Sequence, residues 1–142
     1  MSQENVEAFK RGLEAGNRGD VDTLLEVLDP DVAWHSALHA LIGGEATAFR
    51  GHDGVREMLR DLYEAFDEFH IEVSEIRDLG DRLVVIGRTR ARGEASGAEV
   101  ETPIAFVTEF KNGKAISIRA YLDPEEALEA AGLRDQRREL EP

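Results

Sequence analysis

The chain holds four histidines and no cysteine, so imidazole, which titrates at about 6.5, is the group best suited to moving protons near neutrality. His35 ends the short run Asp31-Val32-Ala33-Trp34-His35, at the rim of an apolar core, where it suits a general base. The plainer reading is a buried, hydrogen-bonded structural histidine. His39 falls in the following loop, at the mouth of any pocket, and reads as a ligand contact, a second proton carrier or a solvated side chain. The two do not read as a metal pair, because such spacing puts ligands on one face only in a helix and His35 is expected on a strand. His52 belongs to a turn and helix cap, and His70 to the polar phase of its strand.

Composition narrows the chemistry further. The absence of cysteine removes disulfides, thiolate metal sites and cysteine nucleophiles. Seventeen basic against 30 acidic side chains give a net charge of -13, which repels nucleic acid and anionic membranes. No phosphate loop, zinc motif, nucleophile elbow or dinucleotide fingerprint is present, so no cofactor and no metal are expected. Without a signal-like start or an apolar run approaching about 18 residues, the expectation is a soluble, cytoplasmic protein. The 142 residues fit one domain over 1–133, followed by a polar tail over 134–142.

The elements that must position these side chains follow from periodicity. Val6, Phe9 and Leu13 recur at helical spacing between Ser2 and Ala15, and Gly16-Asn-Arg-Gly19 ends that helix. Asp20 caps a second helix with Val21, Leu24, Leu25 and Leu28, which stops at Asp29-Pro30. After a loop from Ser36 to Arg50, Asp53 caps a third helix striped by Val55, Met58, Leu59, Leu62, Tyr63 and Phe66. Strands are expected over Phe69–Arg77, Leu83–Arg92, Glu99–Phe110 and Ala115–Leu122, forming an antiparallel meander through Gly80-Asp, Ser96-Gly and Asn112-Gly turns. Pro124 to Gly132 reads as a closing helix.

A two-residue Ser96-Gly97 turn pairs Ala95 with Ala98 and sorts the strands into two faces. Val85, Thr89, Thr102, Ile104, Phe106 and Thr108 share the face under the helices. Arg88, Arg90, Arg92, Glu101 and Glu109 share the outer one with Arg119. The pocket is then lined by Tyr63, Phe66, Phe106, Thr108, Ala120 and Leu122, with Thr89, Thr102, Thr108 and Tyr63 as its hydroxyls, and suits a small apolar or weakly polar molecule. If His35 points inward, Trp34 points outward unless a bulge intervenes. Trp34, Ile86, Val107 and Tyr121 would then interrupt the charged outer face, which reads as the contact of a homodimer.

Several stretches in order, Gly19-Asp-Val-Asp-Thr-Leu-Leu, Asp29-Pro-Asp-Val-Ala-Trp34, Phe49-Arg-Gly-His-Asp-Gly-Val-Arg56, Asn112-Gly-Lys114, Tyr121-Leu-Asp-Pro-Glu-Glu-Ala-Leu128 and Ala130-Ala-Gly-Leu133, resemble the SnoaL-like proteins of the nuclear-transport-factor-2-like superfamily. The resemblance implies an α+β fold, a cone-shaped barrel whose strongly curved sheet wraps N-terminal helices round a pocket, usually in a homodimer. It implies no single activity, since such proteins include isomerases, cyclases, dehydratases, hydrolases and non-catalytic binders. In similar ketosteroid isomerases the catalytic base holds the position of His35. Their oxyanion donor would fall at Phe106 or Ala105 and their first-helix tyrosine near Gly12, and the polyketide cyclases' last-strand aspartate near Ala120, positions without a donor here. Two expectations follow. One is a cofactor-free isomerase, cyclase, dehydratase or hydrolase with His35 as base and Tyr63 or His39 orienting the substrate; the other is a non-catalytic, dimeric ligand-binding or scaffold domain.

Overall fold

The computed structural model describes residues 2–39 and 47–132; the expected polar tail and part of the 36–50 loop lie outside these. The elements are α1 (Ser2–Asn17), α2 (Val21–Glu26), β1 (Leu28–Ser36), β2 (Thr47–Arg50), α3 (Gly51–Ala65), β3 (Phe66–Asp78), β4 (Arg82–Gly93), β5 (Glu99–Lys111), β6 (Lys114–Tyr121) and α4 (Pro124–Ala130). They form a mixed α+β fold in which a curved, open six-stranded sheet carries the helices. No helix among the described residues is long and apolar enough to cross a membrane.

Local contacts cap or pack the helices, although α3 follows Arg50 with no side-chain cap and the expected cap Asp53 lies within its first turn. The Asp20 carboxylate accepts a hydrogen bond from the Thr23 amide at 3.1 Å, capping α2, and the Thr23 hydroxyl, with that amide, holds its carboxyl below the usual range. A Cβ on Gly12 would lie 2.9 Å from Val27 Cγ2 and 3.2 Å from Leu24 Cδ1, so glycine there lets α1 pack closely on the end of α2. Asp123 caps α4, which has Pro124 in its first turn, and an Arg82 guanidinium nitrogen donates to the Ala131 carbonyl at its far end. At the start of α3, His52 Nε2 lies 3.0 Å from the Leu28 carbonyl, an acceptor, and so donates to it, tying this helix to β1.

The strand order is β2-β1-β6-β5-β4-β3. β3 to β6 form the expected antiparallel meander, while β1 pairs β6 in parallel and β2 antiparallel. β2 occupies the end of a stretch expected to be loop. β1 also begins earlier than expected and runs through Pro30, where the ladder with β6 breaks: Leu28 pairs Ala115 but the next pair is Ala33 with Ser117. A proline is tolerated in that interruption because no partner there needs its missing amide hydrogen.

The β4–β5 register also differs from expectation. Val85 pairs Phe106 and Thr89 pairs Thr102, two residues away from the pairing a two-residue turn would give, because the chain turns through Glu94 to Ala98. An even shift leaves every side chain on its predicted face. The inner face packs Leu83, Val85, Ile104, Phe106 and Ile118 under the helices.

The outer face has a second core. Val84, Ala105 and Val107 pack with Ala127, Leu128 and Ala131, and Ile86 and Tyr121 join them, so Ile86, Val107 and Tyr121, three of the four residues assigned to a dimer contact, sit with α4 instead. The remaining outer surface is charged, with exposed pairs joining Arg88 to Glu101, Arg90 to Glu72, and Arg92 to Asp67 and Glu68. Pairs of this kind contribute about 0–1 kcal/mol each, so they mark a solvated face more than they hold the fold.

Candidate functional site

Helices α1 to α3 and the inner face of the sheet enclose a cavity of about 90 Å³. One water needs only ~10–15 Å³ of such space, so there is room for a small organic molecule. The wall is almost wholly apolar: Phe9 and Leu13 come from α1, Leu24 from α2, Met58, Leu59 and Leu62 from α3, and Phe106, Phe110, Ile118 and Ala120 from the sheet. Phe9 and Phe106 face each other with ring centroids 6.3 Å apart.

β1 decides which chemistry reaches this space. Trp34 and Ser36 line the cavity and His35 does not. Across the parallel ladder Trp34 stands beside Ile118, another wall residue, whereas His35 stands beside the exposed Arg119. The side chains of a strand alternate, so His35 lies on the outer side, half-buried. The expectation of an inward His35 and an outward Trp34 is thus reversed. The buried positions Leu28, Val32 and Ser36 share the even phase of Trp34, so alternation runs unbroken along β1; the inward His35 rests instead on the catalytic-base position implied by the resemblance to ketosteroid isomerases.

Of the other residues expected in the pocket, Tyr63, Phe106, Thr108 and Ala120 line the cavity. Phe66 and Leu122 do not. Phe66 ends α3 and opens β3, where its ring stacks on Phe69 at 5.9 Å; Leu122 lies just past β6, half-buried against the core. Thr89 is buried behind the wall, and Thr102 is half-buried toward the far end of β5.

His39 takes neither the pocket-mouth position nor a solvated one. It is buried, with Nδ1 3.0 Å from Ser36 Oγ and Nε2 3.1 Å from Asp61 Oδ2, and its ring lies 4.9 Å from that of Phe49. Ser36 and Asp61 were not anticipated. Ser36 shares the strand phase of Trp34, a signal the sequence does contain. Asp61 sits 22 residues from His39, and nothing local announces that contact.

The polar groups of the wall are nearly all committed. Asn17 donates to the Ile71 carbonyl and accepts from the Ile71 amide, at 3.0 and 2.9 Å. Tyr63 Oη donates to the Gly16 carbonyl at 2.8 Å, and burial pushes its phenol above the ordinary value of 10.0. Ser36 is held by His39. Among the described side chains of the wall, Thr108 Oγ1 alone is buried with no hydrogen-bond partner.

Residues 9–118 match the model of the SnoaL-like domain. Among solved structures the chain is similar to an NTF2-like protein of unknown function from Burkholderia pseudomallei, with 27% identity over 89% of this chain and 95% of that one and a TM-score of 0.75. It is also similar to TerC co-crystallised with polyporic acid, with 21% identity, 93% and 98% coverage and a TM-score of 0.76. A protein described as a SnoaL-like polyketide cyclase, from Jannaschia sp., gives 22%, 92% and 90%, with a TM-score of 0.72. At their identities the last two speak for fold alone. Comparison with curated proteins gives no match.

Proposed function

The chain belongs to the SnoaL-like family, whose fold carries no single chemistry, and we propose that this member binds a small, largely apolar molecule bearing one polar group. The observation that carries this reading is Thr108 Oγ1, buried without a partner in a largely apolar wall whose other polar side chains, Asn17, Ser36 and Tyr63, are already hydrogen-bonded. Leaving a buried hydroxyl unpaired costs about 1–3 kcal/mol, and a ligand that pairs with it removes the penalty. Size and lining select the rest of the ligand: a compact apolar body, uncharged, with a hydroxyl, carbonyl or nitro group at one end. The co-crystallisation of TerC, a protein of similar fold, with polyporic acid supports a small organic molecule as occupant.

With His35 on the outer side of β1, an enzyme built on that histidine is not retained. Binding in the cavity is tested by titration with phenol, followed by emission of Trp34, the single tryptophan of the chain, which lies in the wall. Saturable change in the wild type, weakened at least tenfold in Ala120→Leu, supports the reading; no saturable change up to the solubility limit removes it. The homodimer implied by the family belongs to the same proposal, now through the charged strands β3 to β5 and not the apolar residues covered by α4. Sedimentation as a monomer at micromolar concentration would remove that part.

A further inference from the structure

Resting on the cavity as a ligand site, we propose that Ser36, His39 and Asp61 form a proton relay that makes one point of its wall a general acid and base. Ser36 lines the cavity, with Oγ 3.0 Å from His39 Nδ1; His39 Nε2 is 3.1 Å from Asp61 Oδ2 on α3. Ser36 and His39 are buried, whereas the Asp61 side chain is 41% exposed. The chain of contacts therefore runs from an apolar wall to solvent.

The donor set fixes the direction of the bonds. An ionised carboxylate can only accept, so Asp61 places the ring proton on Nε2 and leaves the Nδ1 lone pair for the Ser36 hydroxyl. Ser36 then donates to His39 and keeps its own lone pairs for a molecule in the cavity. The Phe49 ring, 4.9 Å away, limits rotation of the imidazole out of this line.

The reaction class is proton transfer on a small carbon or oxygen acid. The substrate proton moves to Ser36 Oγ as the Ser36 hydroxyl proton moves to His39 Nδ1. The electron pair of the broken bond stays on the substrate, and the positive imidazolium faces the Asp61 carboxylate. Reversal onto another substrate atom returns the proton and completes an isomerisation, without oxidant or reductant.

Acyl transfer to Ser36 is disfavoured by the position of the free hydroxyl. Thr108 pairs Ile118, and Ile118 pairs Trp34, so two strand spacings of ~4.8 Å separate Thr108 from β1. Thr108 is too distant to hold an oxyanion formed at Ser36. The separation suits a substrate whose polar group meets Thr108 at one end and whose acidic hydrogen meets Ser36 at the other.

A nitrobenzisoxazole tests this directly. Its ring C–H is lost to a base, the carbon and nitrogen become a nitrile, and the N–O bond breaks with its electron pair leaving on oxygen as a coloured cyanophenolate. The wild type should turn it over, and Ser36→Ala and His39→Gln should each lower kcat at least 100-fold, within the range of general-base effects, at unchanged KM. Asp61 acts through His39 as a positioning residue, so Asp61→Asn should lower kcat and Asp61→Glu restore part of it. If His39→Gln fails to fold, Ser36→Ala decides, since it removes a single oxygen. Turnover unchanged in Ser36→Ala, or absent in a wild type whose Trp34 emission shows the probe bound, overturns the relay and leaves the cavity reading intact. A probe that leaves Trp34 emission unchanged overturns the relay together with the cavity reading.

Discussion

Trp34 and Ile118 stand beside each other across the parallel β1–β6 ladder, and both side chains line the cavity. The neighbouring pair, His35 and Arg119, faces the other way. This ties the optical probe of the protein to the candidate site and detaches the histidine that its sequence position made most suggestive. His35→Ala should accordingly leave phenol affinity within about twofold of wild type, because a side chain outside the wall contributes no contact. A loss of tenfold or more in the Trp34 titration would put His35 back in the site.

Thr108→Val separates stability from binding. Valine matches threonine in shape and removes the unpaired buried hydroxyl of Thr108, so the empty protein should be as stable as wild type or more stable by up to ~1–3 kcal/mol. Urea unfolding measures this. Destabilisation by more than about 1 kcal/mol would mean that the hydroxyl already has a partner.

Tyr63 should make stability fall at high pH. Burial raises its phenol above the ordinary value of 10.0, so the unfolded chain releases the proton first, and stability intact below about pH 10 declines as pH rises toward the folded value. Tyr63→Phe loses the bond to Gly16, at a cost of about 1 kcal/mol, but removes this titration. Its unfolding free energy should decline less steeply than that of wild type between about pH 9 and about pH 11. Equal slopes would contradict the burial of the phenol.

Of the glycines in the described residues, Gly87 has the least room for a side chain. A Cβ there would meet the Glu72 carbonyl oxygen at 2.1 Å, beside the register shift in β3 between Val73 and Glu75. Gly87→Ala should cost at least the ~1–3 kcal/mol of an overpacked site, because a backbone carbonyl cannot swing aside as a side chain can. Gly16→Ala is the control: its Cβ would meet nothing within 4 Å, and a helical alanine should gain about 0.5–1 kcal/mol. Similar melting of the two variants would contradict the close approach.

Most of the architecture was legible because it is written in local periodicity. The stripe from Val55 to Leu62, the Asp20 cap and the alternation in β4 and β5 each depend on neighbours a few residues apart. The faces of β4 and β5 survived an error in the turn because the register slipped by an even number. The phase of Trp34 and His35 is written in the alternation of Leu28, Val32, Trp34 and Ser36, but it is missed when Leu28 is assigned to a helix and His35 is placed by resemblance. The relay was hidden for a different reason: Ser36 and His39 are near in sequence, but Asp61, 22 residues from His39, reaches them only because α3 packs on that strand.

On the proposed function, the cavity holds a small apolar molecule whose polar group pairs with Thr108. The most direct measurement compares phenol with benzene, by Trp34 emission, in wild type and Thr108→Val. Wild type should prefer phenol by about tenfold, equivalent to ~1.4 kcal/mol, and the variant should lose that preference while still binding benzene. An equal preference in both proteins, or no binding of either compound, would contradict it.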